Sequence, residues 1–109
     1  MGMIDDHGAV AHAISRNNGF WDEPATVHFL LSKIALLQSE GSELLEAIRK
    51  EQGEDKILDE MADVYIRLVD LFVGMKQSGW LDPSASLDSA VADKMRVNAT
   101  RPPKHGNLA

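Results

Sequence analysis

Four carboxylates stand out by their spacing: Glu40 and Glu43 form one pair, Glu60 and Asp63 the next. Three residues is the separation that places two side chains on adjacent turns of one helix face. On a wheel started at Leu30, Glu40 and Glu43 fall at about −80° and −140°; on one started at Ile57, Glu60 and Asp63 fall at about −60° and −120°. Each pair flanks the apolar stripe of its own helix, so in an antiparallel hairpin the two pairs face each other. Carboxylates facing across one groove repel by up to about 4 kcal/mol per close pair at an effective dielectric of about 20, which calls for a cation. An all-oxygen ligand set suits Mg²⁺, with Mn²⁺ as the alternative, and not zinc or copper. A di-iron site would need Glu-x-x-His on the helices, and no such tetrad occurs. Glu46, Glu51, Glu54, Asp55 and Asp59 read as surface or capping acids, and a solvated acidic face is the plain alternative for the four as well.

Helices have to carry these groups, and the apolar periodicity supplies them. Ile4 to Arg16 reads as a short helix stopped by Asn17-Asn18-Gly19. Pro24 looks like a first-turn proline opening a long helix that lasts to Gly53, with Leu30, Ile34, Leu37, Leu44 and Ile48 on one face. Glu54-Asp55 starts a third, carrying Ile57, Met61, Val64, Leu68, Leu71 and Met75 and ending at Gly79. The third helix has a second apolar side in Leu58, Ala62, Ile66, Val69 and Val73, which asks for another subunit. Ser86 to Val97 forms a weaker fourth, and Thr100-Arg101-Pro102-Pro103 turns the chain into an extended basic tail over 99–109. The expected fold is all-α: a small four-helix bundle around a long antiparallel hairpin, assembling as a dimer or a dimer of dimers.

The 109 residues sum to −6, and they make one domain spanning 1–109. The charge is uneven, with nine acids and three bases from Glu40 to Asp63, against four bases and no acid from Lys94 onward. A net acidic chain repels nucleic acid. No run approaches the roughly 18 apolar residues of a membrane span, and Asp5 and Asp6 stand where a signal peptide would be basic. With no cysteine, thiol nucleophiles and disulfides are out, in keeping with a reducing cytoplasm.

The stretch from Lys33 through Glu40-Gly-Ser-Glu43 to Ala47, followed by Asp59-Glu60-Met-Ala-Asp63-Val-Tyr-Ile-Arg67, resembles the E-x-x-E … E-x-x-D signature of MazG-like, all-α nucleoside triphosphate pyrophosphohydrolases. The similarity takes in Gly19-Phe20-Trp21-Asp22-Glu23-Pro24 upstream and Lys94 to Gly106 downstream. It implies Mg²⁺-dependent hydrolysis of a (deoxy)nucleoside triphosphate between the α and β phosphates, with Glu40, Glu43, Glu60 and Asp63 as metal ligands. One of the four would serve as general base, Glu43 being the first to test. It also implies an interlocked homodimer, or two dimers paired as a homotetramer.

Lys94 and Asn98 match the family's lysine and asparagine that reach triphosphate and sugar. Arg101, Lys104 and His105 extend this basic segment, for which a solubilising terminus is the alternative. Lys33 and Arg67 lie beside the carboxylate flanks and are placed to contact phosphate, although an Asp63–Arg67 ion pair is the plainer reading of Arg67. Trp21 and His28 are the base-binding candidates, against a core-capping indole and a surface histidine. The rival readings are a phosphoribosyl-ATP pyrophosphohydrolase and a non-catalytic helical protein that binds nucleotide or a partner in the same groove.

Overall fold

The structure, a computed structural model, describes residues 2–103; Lys104 and His105 lie outside the described residues. The described chain is all-helical, with four helices and no strand: α1 (Met3–Asn17), α2 (Val27–Arg49), α3 (Glu54–Gln77) and α4 (Leu87–Ala99). None is long and apolar enough to cross a membrane.

Expected and observed ends agree closely except at α2. Pro24 does not open that helix; its carbonyl accepts from Thr26 N at 2.9 Å in a tight turn. Thr26 is the cap instead, its hydroxyl accepting from Phe29 N at 3.1 Å, so the helix begins three residues past the proline. Ser86 caps α4 in the same way through Ser89 N.

The central element is α3, which packs against both α1 and α2, while α4 docks on α1. Leu30, Ala47, Val69, Leu71 and Phe72 form the buried apolar centre. The α1–α3 approach depends on Gly8, where a Cβ would lie 2.8 Å from Val73 Cγ2 and 3.0 Å from the Val69 carbonyl. The far end of α1 is locked to α4 by exchanged caps. Asp5 accepts from Ser86 Oγ (2.6 Å), Leu87 N (2.8 Å) and Asp88 N (3.2 Å), while Asp88 accepts from Ile4 N (3.1 Å) and Asp5 N (2.7 Å). Burial pushes the Asp5 pKa up, but these hydrogen bonds and the Lys76 charge outweigh it and hold the carboxyl below its ordinary value.

Much apolar surface stays uncovered. Among the described residues seventeen large hydrophobic side chains are exposed, from Val10 and Ile14 on α1 to Leu58, Met61 and Leu68 on α3. Between α1 and α3 they border an apolar groove of about 470 Å³ that includes Val10, Ile14, Ala62, Tyr65 and Ile66.

Candidate metal centre

Glu40 on α2 and Glu60 and Asp63 on α3 each offer a carboxylate oxygen, all within 4.8 Å of one another. Glu60 is buried and the other two half-buried. Two basic side chains temper the charge: Lys56 Nζ lies 2.9 Å from Glu60 Oε2, and Arg67 Nε lies 3.3 Å from Glu40 Oε2. Arg67 therefore pairs with Glu40, not with Asp63 one turn away. Asp63 is left with a raised pKa, because burial and the charges of Glu40, Asp59 and Glu60 outweigh the help of Arg67. Three oxygens converging under partial burial, one of them reluctant to ionise, form a donor set that a hard divalent ion would satisfy.

Glu43 does not join the trio. It is exposed on the next turn of α2, and its charge acts on Lys56. Gly41, between the two glutamates, faces open space, with nothing beyond its chain neighbours and the adjacent backbone of its own helix within 4 Å of where a Cβ would stand.

Lys33 is not available for phosphate. It is buried, with only 9% of its surface exposed, and Nζ donates to the Phe20 carbonyl. The ammonium lies 4.8–5.4 Å from the ring centroids of Phe20, Trp21 and Phe29, so it is held in an aromatic box by cation–π attraction. Burial and the nearby Arg67 lower its pKa, against the opposing charges of Asp70 and Glu23. The wheel angle beside the carboxylates is as expected, but the Phe20-Trp21 segment closes over the side chain.

Trp21 is anchored on α3. Its Nε1 donates to both oxygens of buried Asp70, at 3.0 and 3.2 Å, and its six-membered ring sits on Gly74, where a Cβ would lie 2.2–2.6 Å from the indole. His12, also buried, bonds the same Asp70 through Nδ1 at 2.8 Å and meets the indole edge-on. His28 is exposed at the start of α2 and lines neither the cleft beside the trio nor the one beside Trp21. Lys94 and Asn98 are exposed on α4 and Arg101 follows it; among the described residues no hydrogen bond or ion pair joins them to the trio.

Beside the trio lies a cleft of about 190 Å³, lined by Glu40, Asp63 and Arg67 on one side and by Ser15, Asn18 and Phe20 on the other. Ser15 Oγ is the one buried side-chain polar atom without a hydrogen-bond partner among the described residues. Leaving a buried hydroxyl unpaired costs about 1–3 kcal/mol. Sequence reasoning missed this cleft and the His12–Asp70–Trp21 network. An acid inside the apolar run Leu68-Val69-Asp70-Leu71-Phe72 was the available signal, since a buried charge demands partners.

Comparison with protein families, with curated proteins and with solved structures returned no match to this chain.

Proposed function

We propose that the protein is an Mg²⁺-dependent pyrophosphohydrolase of (deoxy)nucleoside triphosphates that acts on cytoplasmic nucleotide pools. The observation carrying this reading is the convergence of Glu40, Glu60 and Asp63 from the two halves of the E-x-x-E … E-x-x-D pattern. The MazG-like resemblance supplies the reaction: water adds at phosphorus, the α–β bridging bond breaks, and monophosphate and pyrophosphate leave.

Glu40, Glu60 and Asp63 would hold the ion, with Glu43 as a further carboxylate one turn away. A divalent ion bound there supplies Lewis-acid polarisation and a water of lowered pKa. Lys56 and Arg67 neutralise Glu60 and Glu40; with a divalent ion held by those carboxylates, both basic groups would be free to contact phosphate oxygens. Lys94, Asn98 and Arg101 contribute phosphate and sugar contacts in the assembled protein. Assembly as a homodimer or homotetramer built on the α2–α3 antiparallel hairpin is supported by the uncovered hydrophobic side chains on α1 and α3.

The test is direct. Each ribo- and deoxyribonucleoside triphosphate is incubated with protein and Mg²⁺ and the products are separated. Monophosphate plus pyrophosphate, lost with EDTA and in Glu60→Gln, is the expected result. Diphosphate plus phosphate, or no turnover of any nucleotide, overturns the reading.

A further inference from the structure

The cleft beside the carboxylate trio has two unlike walls. Phosphates bridged to Glu40 and Asp63 by a divalent ion would occupy one side, and Arg67, paired with Glu40 and 5.6 Å from the Phe20 ring centroid, also lines the cleft. The rest of the lining is apolar in Ala11, Ile14, Ile66 and Phe20, with three polar exceptions: Ser15 and Asn18 at the C-terminal end of α1, and Asp70, which already accepts from Trp21 and bonds His12. Flat apolar surfaces with a few convergent hydrogen-bonding groups suit a heteroaromatic ring better than a sugar, whose hydroxyls would meet Ile14 and Ile66 unpaired. Phe20 is firmly placed, because Lys33 and Arg67 lie near its ring, 5.4 and 5.6 Å from the centroid.

Ser15 decides what such a ring would gain. Its hydroxyl is turned away from water and has no partner, although the residue itself is partly open to the cleft. A serine hydroxyl reorients by one staggered step about χ1. Turning outward forfeits no existing hydrogen bond, so a ligand edge presented there receives the full benefit of the new one. A hydroxyl already bonded within its helix would not offer this.

We propose that Ser15 is a specificity-determining contact for the nucleobase, reading its polar edge together with the Asn18 amide while Phe20, Ile14 and Ile66 hold the ring. The proposal rests on the nucleotide reading above and moves base recognition away from Trp21 and His28. A hydroxyl both donates and accepts, so the choice among bases falls to the Ser15–Asn18 combination.

The experiment is calorimetric binding to wild type, Ser15→Ala and Asn18→Ala in Mg²⁺. Three probes are used: an α,β-methylene nucleoside triphosphate of the best-bound base, an abasic deoxyribose triphosphate, and inorganic tripolyphosphate. Ser15→Ala is expected to bind the nucleotide about 3- to 10-fold more weakly, the range of one neutral hydrogen bond, and to bind the other two probes as wild type does. Its melting temperature should be equal or higher, since the unpaired hydroxyl is gone, which rules out unfolding as the cause. Equal weakening toward the abasic probe would place the sugar in the cleft and overturn the assignment; so would unchanged nucleotide binding in both variants. A wild type that binds tripolyphosphate but no nucleotide better than it also overturns it. If wild type binds none of the three, the nucleotide reading falls and this one with it.

Discussion

Removing the charge of Asp63 should have opposite effects with and without a divalent ion. Its carboxylate lies within 4.8 Å of those of Glu40 and Glu60, a separation at which each like-charge pair repels by about 3.5 kcal/mol at an effective dielectric of about 20. The Lys56–Glu60 contact at 2.9 Å and the Arg67–Glu40 contact at 3.3 Å offset most of this, and solvent screens the half-exposed remainder. A net relief of about 1 kcal/mol is therefore expected from Asp63→Asn in EDTA, which in a domain of this size raises the melting temperature by about 4–8 °C. Adding Mg²⁺ reverses the order. An ion at a hundredfold excess over its Kd stabilises the wild type by about 2.7 kcal/mol, and the variant, missing a ligand, gains far less. Differential scanning fluorimetry of both proteins over a Mg²⁺ titration reads out the crossing. An Asp63→Asn variant that melts below wild type in EDTA would refute the repulsion argument. A wild type indifferent to Mg²⁺ would refute the metal site.

Other outcomes follow from single features. Gly74→Ala should unseat Trp21 and break its bond to Asp70, destabilising the fold by about 1–3 kcal/mol as overpacking does and shifting tryptophan fluorescence, measured by urea titration. Gly41→Ala, facing open space in mid-helix, should instead stabilise by up to about 1 kcal/mol in the same titration. The Asp5 carboxyl has its folded pKa depressed below 3.8, so its stabilising effect is complete above the ordinary carboxylate range and is lost as pH falls through the folded value. Asp5→Asn should therefore lower the melting temperature at pH 7, by a gap that narrows as pH falls below the ordinary carboxylate range. A gap that stays constant over that fall would contradict the linkage.

Features read along one helix were legible in the sequence, and those made by the meeting of distant segments were not. The ends of α1, α3 and α4 followed from Asn17-Asn18-Gly19, from Gly53 and from Ser86, because caps and breakers act within a few residues. The start of α2 slipped because proline at a first turn is permitted and not required, and Thr26 had a side chain able to cap. Glu40, Glu60 and Asp63 converged as their wheel angles indicated, whereas Glu43, expected in the same groove, lies exposed one turn on. Lys33 shows the limit most clearly. Its angle was right, yet nothing in a wheel says that residues thirteen positions upstream fold over it and make its ammonium internal. His12 and Asp70, 58 residues apart, are likewise joined only by the α1–α3 packing that Gly8 allows.

The exchanged caps of Asp5 and Asp88 tie together residues 83 positions apart in a chain of 109. Neither helix start is complete until the other has arrived, so the closure of that long loop comes before either terminal helix gains its full protection. In hydrogen-exchange terms the first turns of α1 and α4 belong to one opening unit despite lying at opposite ends of the polypeptide. Amides at Ile4, Asp5, Leu87 and Asp88 should exchange with a common free energy of opening, and loosening one end should be felt at the other. A tag or truncation ahead of Gly2 would therefore reach α4, the helix that presents Lys94 and Asn98.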